Sequence, residues 1–405
     1  MNNLADLEFK QSEKTLLEEK IRAAVAQSGL DGIIALDPGN FTYLTRGVVM
    51  PFAGQDITLP SLVLCGAQET ADCIVCPVEL NDLAGPQGWT GGLVTYSIND
   101  GQPPAGLAGA AAQAVSEAKL DNGTKLGFDS EFIPAAVFQA LQTALPQVEF
   151  CDAGPLLKEL REVKTEGERR MIEIAARIAE RALVSALNHC EGNVLDSLNY
   201  YLWEFGERIR VHVGEFGGSM AGHLSVMQGE KARYPYALLE PSERFKPGSF
   251  VRSEWTSHNY GYWASSGRTT FVGPANADSE SRYKDNLQLK KVAVNQLKPG
   301  VTAAQVFSAV EDESVRTGIP FRRESGAGHG IGTSEMESPY LDGFDQTVLR
   351  EGMVIVIAIY TYGDQGELIC SRDIYEITSD GCRLMSWYKS YEDLYCMYGS
   401  TARHG

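Results

Sequence analysis

The sequence FVRSEWTSHNYGYWASSGRTTFVG, residues 250–273, predicts a β-hairpin around which the rest of the chain can be interpreted. Two apolar, aromatic-rich runs, Phe250–Thr256 and Gly261–Gly273, show the alternation that is typical of strands. The polar tripeptide at 257–259 separates the two runs and predicts the turn between them.

Glu254 and Arg268 place charges inside this strand-like sequence. Burying an isolated carboxylate is costly, so we expect Glu254 to be ion-paired, to bind a ligand or to take part in a reaction. A purely structural ion pair with Arg268 or Arg372 is the alternative to a functional role for this glutamate.

The composition is that of a globular protein, with 43% hydrophobic and 22% charged residues. A chain of 405 residues predicts two domains. The net charge of -18 disfavours nucleic acid and anionic membrane surfaces as partners. The polar amino terminus and the lack of an apolar run of ~18–20 residues predict neither a secretory signal nor a membrane span.

The eight cysteines are scattered along the chain, and only Cys73 and Cys76 form a CxxC pair. That pair lies in an apolar, strand-like run with no second pair at zinc spacing, so we interpret the cysteines as buried free thiols. Unpaired thiols are typical of a reducing compartment and favour a cytoplasmic location.

The chain order predicts two domains, 1–158 and 159–405. Short apolar strands alternate with helical patterns in the first domain, which is the signature of a layered α/β unit. In the second domain, a long amphipathic helix follows Thr165, a further helix covers about 194–208, and Thr302 with Gln305 predicts the cap of a helix over Ala303–Thr317.

The glycine-rich segment GAGHGIG, residues 326–332, places His329 among glycines. It lacks both the GxGxxG spacing and a lysine, so a phosphate loop is disfavoured. We expect the glycines to permit close backbone approach and to leave the imidazole of His329 on display.

The order of motifs resembles the pita-bread fold that is shared by methionine aminopeptidases, prolidases and creatinase. The resemblance covers residues 30–380 and implies an α+β protein: a smaller α/β creatinase-type amino-terminal domain precedes a pita-bread catalytic domain. The matching segments are NFTYLTRG (40–47), LREVKTEGE (160–168), GYWASSGRTTFVG (261–273), GHGIGTSEMESPYL (328–341), LREGMVIVIAIY (349–360) and SRDIYEIT (371–378).

The resemblance also implies five ligand positions, because the metallopeptidases of this fold bind two divalent metals through two aspartates, a histidine and two glutamates. In this sequence those positions hold Glu254, Ser265, His329, Ala358 and Arg372. Serine, alanine and arginine are not ligands for a hard divalent ion. The sequence therefore predicts an enzyme without a metal or other cofactor.

Creatinase and the ectoine hydrolases are the metal-free branches of this fold, and the ectoine hydrolases also carry a glutamate at the first ligand position. The resemblance to them implies a hydrolase of a non-peptide C–N bond in a small carboxylate-bearing amidine, guanidine or cyclic amidine. Two alternatives stay open: a metal-dependent Xaa-Pro peptidase or lyase of the same fold, and a catalytically inactive module that binds a peptide or a partner.

The predicted catalytic residues are Glu254 as nucleophile or general base, His329 as the acid for the leaving nitrogen, and the retained Glu337. The guanidinium of Arg372 suits a substrate carboxylate. Met336 replaces a family histidine. The predicted substrate-binding residues are Arg372, Tyr262, Ser265, Tyr360, Phe52 and Tyr236.

Tyr236, or its neighbour Tyr234, occupies the region of an upstream family histidine, and His223 is a more distant candidate for its replacement. Phe52 lies in the loop Arg46–Asp56, whose counterpart in creatinase reaches the neighbouring subunit's site. The resemblance therefore implies a homodimer with sites near the subunit interface and a small-molecule substrate.

Overall fold

The structure is a computed structural model that describes residues 8–50, 60–68, 71–99, 103–120, 123–191, 200–219, 222–237, 240–386 and 392–397. The chain divides into two compact units, Met1–Gly167 and Glu168–Gly405.

The first unit is an α/β unit built on a six-stranded mixed sheet in the order β4-β3-β2-β1-β5-β6. Its strand β1 is buried throughout and pairs antiparallel with β2 and parallel with β5. Its elements are α1 (Gln11–Ser28), β1 (Gly32–Ala35), α2 (Pro38–Leu44), β2 (Leu62–Gly66), β3 (Cys73–Pro77), β4 (Gly92–Tyr96), α3 (Pro103–Glu117), β5 (Lys125–Phe128), α4 (Ala135–Ala144), β6 (Glu149–Asp152) and α5 (Gly154–Glu162).

The second unit is organised around a nine-stranded sheet, and the predicted hairpin lies inside it. The central order is β11-β10-β12-β13-β9-β8-β7, with β14 paired to β13 and β15 paired to β9. The helices are α6 (Glu166–Glu191), α7 (Leu202–Glu215), α8 (Ala277–Gln296) and α9 (Ala303–Thr317). The strands are β7 (Leu224–Gln228), β8 (Phe250–Asn259), β9 (Tyr262–Val272), β10 (Gly328–Gly330), β11 (Glu337–Tyr340), β12 (Val354–Tyr362), β13 (Leu368–Ile377), β14 (Cys382–Leu384) and β15 (Tyr395–Met397).

One face of the large sheet is covered by α6 and α8. Trp255 Nε1 donates to the Ala179 carbonyl of α6 at 3.1 Å. On the same face, Asn286 of α8 donates to the carbonyls of Ile359 and Ile369 at 2.9 and 3.1 Å. Since side chains alternate along a strand, the residues between these positions point to the opposite face, where the candidate site lies.

The hairpin differs from the prediction in the position of its turn. The strands run to Asn259 and from Tyr262, so the turn consists of Tyr260 and Gly261 instead of residues 257–259. Both turn residues have positive φ, 50° and 75°, which is the conformation that a two-residue hairpin turn requires. The predicted turn was wrong because polar residues were taken as loop, whereas Ser257 donates to the Ala175 carbonyl of α6 at 2.8 Å.

Two helix predictions have different outcomes. Helix α9 covers Ala303–Thr317 as predicted, and Thr302 and Gln305 form the predicted capping box. The helix predicted over 194–208 lies partly outside the described residues, and its described part belongs to α7, which continues to Glu215. Among the described residues, none of the helices combines the length and hydropathy that crossing a bilayer requires.

Candidate functional site

Gly267 at the centre of the sheet allows two charged side chains from different strands to meet. In the strand register, Gly267 of β9 lies between Arg372 of β13 and Glu254 of β8. A Cβ atom at Gly267 would lie 3.0 Å from Cβ of Arg372 and 3.2 Å from Cγ of Glu254. Without that atom, Arg372 Nη2 approaches Glu254 Oε2 to 2.9 Å.

Both carboxylate oxygens of Glu254 are engaged, and the side chain is 2% exposed. Arg252 donates to Oε1, and the hydroxyl of Tyr360 donates to Oε2. Burial on its own raises the pKa of Glu254, but Arg372 and Arg252 outweigh that effect, so the pKa lies below its ordinary value. Glu254 is therefore a carboxylate at neutral pH.

Arg372 binds two further residues. Its Nη1 donates to Ser265 Oγ at 2.8 Å, and its Nη2 donates to the Tyr360 hydroxyl at 2.7 Å. Burial lowers the pKa of Arg372, yet the neighbouring Tyr360 and Glu254 raise it overall, so the guanidinium stays charged. Ala358 faces Arg372 directly across β12 and β13. The four predicted site residues Glu254, Ser265, Tyr360 and Arg372 thus form one hydrogen-bonded cluster.

His329 lies on β10, and the flanking glycines permit the close backbone approach that was predicted. A Cβ at Gly328 would lie 1.9 Å from the Val356 carbonyl oxygen, and one at Gly330 would lie 2.2 Å from that of Ser338. The imidazole of His329 is not on display, however, since the residue is 4% exposed.

The buried imidazole of His329 is a weak base. Its Nδ1 lies 2.8 Å from the Gly330 carbonyl oxygen. Burial and then the positive charge of Arg372 lower the pKa of His329 to about 4. His329 is therefore neutral at pH 7, and it is not in the protonated form that the predicted acid role requires. Glu337 of β11 is buried, and its charge acts on His329.

Glu335 joins the site although the sequence did not indicate it. Burial raises the pKa of Glu335, and the charges of Arg372 and Glu254 act on it in opposite directions. Its carboxylate also accepts a hydrogen bond from the backbone N–H of His223. The only available signal was an acidic residue directly before Met336 in the motif GHGIGTSEMESPYL.

Arg252 was also missed, although strand alternation places it on the same face of β8 as Glu254. It contributes a second guanidinium to the cluster. Arg268, in contrast, lies on the opposite face and pairs with Glu180 and Asp373. Of the two ion pairs that the sequence offered for Glu254, the one with Arg268 is wrong and the one with Arg372 is present.

The remaining predicted residues occupy different positions. Tyr236 is 70% exposed, and its ring contacts the ring of His223 edge-on, with centroids 5.0 Å apart. Tyr262 is fully buried three positions before Ser265 on β9, which places it on the opposite face of the strand. Phe52 lies outside the described residues.

Residues 170–385 match the metallopeptidase family M24, and residues 19–163 match the creatinase/prolidase N-terminal domain. An Xaa-Pro dipeptidase of Pyrococcus horikoshii is 25% identical over 272 residues, which cover 66% of this chain and 74% of the relative.

Solved structures show the same fold. An X-Pro aminopeptidase from Thermotoga maritima has a TM-score of 0.78 at 17% identity and covers 94% of this chain and 99% of its own. A prolidase from Pyrococcus horikoshii has a TM-score of 0.74 at 21% identity, and the match covers 92% of this chain and 98% of the prolidase chain.

The fold and the polar cluster at the centre of its large sheet thus define a two-domain α+β protein of the pita-bread superfamily, as predicted. The chain belongs to the metallopeptidase family M24, which matches more than half of its length.

The predicted reaction is wrong. The relatives are Xaa-Pro dipeptidases, which act on a peptide bond, and their family is one of metallopeptidases. These findings overturn the prediction of a metal-independent, creatinase-like or ectoine-hydrolase-like enzyme for a non-peptide C–N bond. The prediction relied on substitutions at the ligand positions, and such substitutions do not by themselves identify the bond that is cleaved.

The family name implies a metal centre, and the side chains at its expected place do not fit one. In the part of the chain that the structure describes, no group of three or more His, Cys, Asp or Glu side chains is arranged to hold a metal ion. The guanidinium of Arg372 stands among the five positions instead, and it engages both Glu254 and Ser265. A fixed positive charge there repels a divalent cation.

Proposed function

We propose that this chain binds dipeptides of the Xaa-Pro type at the Glu254–Arg372 cluster and hydrolyses their peptide bond. The observation that carries the proposal is membership of the metallopeptidase family M24 together with Xaa-Pro dipeptidase relatives that cover about two thirds of the chain. The dipeptidase branch of the fold is therefore favoured over the creatinase and ectoine-hydrolase branches.

The charge of the cluster supports an anionic substrate. Two buried guanidinium groups, those of Arg252 and Arg372, both pair with the carboxylate of Glu254. The Nε atoms of Arg252 and Arg372 are buried, and neither has a hydrogen-bond partner among the described residues. A dipeptide carries one terminal carboxylate, and a guanidinium is the group best suited to bind it. Arg372 is the proposed anchor.

Hydrolysis adds the oxygen of water to the acyl carbon, breaks the C–N bond and transfers a proton to the leaving nitrogen of proline. Glu335 is suited to pass a proton from the attacking water to the leaving nitrogen, because burial raises the pKa of Glu335 and so favours the protonated form of its carboxyl group. The neutral imidazole of His329 on β10 can hydrogen-bond the attacking water without carrying a charge of its own.

The proposal is tested by proline release from a panel of dipeptides, with Ala-Pro, Leu-Pro and Met-Pro as substrates and Ala-Ala as the control. Purified protein is assayed with added Mn²⁺, Co²⁺ or Zn²⁺ and with a chelator. We expect proline release by the wild type and its loss in Arg372→Gln and Glu254→Gln, with activity retained in the surface variant Arg316→Gln. Failure to release proline under every condition would contradict the proposed hydrolysis.

A second candidate function is binding of the same dipeptides without cleavage. It is favoured by one observation, the guanidinium of Arg372 among positions where the family implies metal ligands. Calorimetric binding of Ala-Pro in the absence of proline release would support this candidate. The predicted homodimer stays a prediction, which light scattering of the purified chain would check.

A further inference from the structure

His223 carries a buried polar atom whose partner is missing. Its Nε2 is buried and has no hydrogen-bond partner among the described residues. Most buried polar side-chain atoms in folded proteins are hydrogen-bonded, and an exception calls for an explanation such as a bound water or ion or a catalytic role. His223 directly precedes strand β7, and the sequence indicated it only as a distant candidate to replace an upstream family histidine.

The position of His223 is held from two sides. Its carbonyl accepts a hydrogen bond from the backbone N–H of Thr256 at 3.0 Å. Its own backbone N–H donates to the carboxylate of Glu335. The charges of Glu254, Arg372 and Arg252 all act on its imidazole. The backbone of His223 is therefore fixed, and its imidazole lies close enough to the proposed carboxylate anchor to feel the charge of Arg372.

Arg252 binds the backbone of the segment 234–236, which packs against His223. Its guanidinium donates to the carbonyls of Tyr234 and Pro235 as well as to Glu254. The next residue, Tyr236, places its ring edge-on against His223 while most of its own surface faces solvent. Tyr236 and His223 therefore lie between the solvent and the charged cluster.

We propose that Nε2 of His223 donates a hydrogen bond to the terminal carboxylate of the bound dipeptide, beside Arg372, and that the exposed ring of Tyr236 contacts the proline ring. In this arrangement Arg372 and His223 each donate a hydrogen bond to the substrate's carboxylate. This inference rests on the proposed function, since it names the part of the same substrate that each residue contacts.

The test is calorimetric binding of Ala-Pro and of its carboxamide, Ala-prolinamide, which lacks the carboxylate. The wild type is compared with His223→Phe, His223→Gln and Tyr236→Leu. The matched control is His212→Gln, because His212 pairs with Glu215 on α7 and plays no part in the cluster. Thermal unfolding of each variant confirms that it is folded.

We expect His223→Phe to bind Ala-Pro about tenfold to hundredfold more weakly, which is the loss that one hydrogen bond to a charged group produces. His223→Gln keeps a donor and should lose less, and neither variant should change binding of the carboxamide. Tyr236→Leu should weaken the binding of both ligands.

Two results would overturn the inference, and they are distinguishable. If the wild type binds no Xaa-Pro dipeptide, the proposed function and this inference fail together. If the wild type binds Ala-Pro and His223→Phe binds it equally well, the inference alone is wrong and the proposed function stands.

Discussion

Arg372 on β13 forms its ion pair with Glu254 on β8 across the full width of the strand between them. The contact of 2.9 Å exists because the intervening residue of β9, Gly267, has no side chain. The cluster that carries the proposed function therefore depends on a glycine that contributes no side chain to it.

Gly267→Ala should destabilise the protein by about 1–3 kcal/mol, because a methyl group there crowds two well-packed side chains. Its Cβ would lie 3.0 Å from Cβ of Arg372, which the backbone holds in place. Calorimetric unfolding measures the change. Gly109→Ala in helix α3 is the opposite control: nothing lies within 4 Å of the added atom, so the substitution should stabilise by about 0.5–1 kcal/mol. Changes of the same sign in both variants would contradict the interpretation of Gly267.

Arg372→Leu should lower the free energy of unfolding by about 3–5 kcal/mol, since it leaves the buried Glu254 with less compensating charge. The double variant Arg372→Leu/Glu254→Leu should lose less than the sum of the two single variants, because both residues belong to one interaction. Denaturant unfolding of the four proteins measures this coupling. Arg316→Leu, at an exposed ion pair with Glu313, should cause no measurable change. Additive losses would show that Arg372 and Glu254 are not coupled.

The stability of the protein should fall between about pH 6.5 and pH 4 through His329, whose pKa drops from 6.5 to about 4 in the fold. In this window the unfolded chain binds a proton that the folded imidazole does not bind, so stability rises with pH. The contribution of His329 to this dependence is about 3 kcal/mol. This contribution should be absent in His329→Gln. Free energies of unfolding measured at about pH 7, 5.5 and 4.5 would show a steeper loss of stability in the wild type than in the variant. His212→Gln should behave as the wild type does, and a parallel loss in His329→Gln and wild type would refute the assignment.

Glu335→Gln should become more stable relative to the wild type as the pH rises. Burial raises the pKa of Glu335, so the folded protein retains a proton that the unfolded chain has lost, and ionisation at higher pH costs stability. Unfolding midpoints of the wild type and of Glu335→Gln, measured at a series of rising pH values, test whether the stability difference changes in this direction. In the dipeptide assay, the same variant should lose activity if Glu335 supplies the proton to the leaving nitrogen. Glu313→Gln on the surface is the control for both measurements, and a pH-independent stability difference for Glu335→Gln would contradict the buried position.

Features that depend on neighbours in the sequence were predictable. The cap of α9 by Thr302 and Gln305 follows from a pattern that spans four residues. The close backbone approach at Gly328 and Gly330 follows from the absence of side chains at those positions. The turn at Tyr260 and Gly261 was not predictable by the same means, because Ser257 and Asn259 were polar for a tertiary reason, their packing against α6.

The environment of His329 was not predictable from neighbouring residues. Its glycine neighbours were correctly interpreted, but its burial and its lowered pKa depend on strands that come together from distant parts of the chain. Arg252 and Glu335 were missed for a similar reason, since only the assembled sheet brings them to Glu254 and Arg372.

The amino-acid sequence by itself determined the fold, the hairpin strands and the positions that correspond to the family's ligands, since these follow from alternation, capping and motif order. It also determined that Ser265, Ala358 and Arg372 stand at three of those positions. Only the tertiary structure decided that Arg372 reaches Glu254 past Gly267, and that His223 and Tyr236 lie beside them. Ion pairing and desolvation act over distances in space, and residues that lie far apart in the chain supply both.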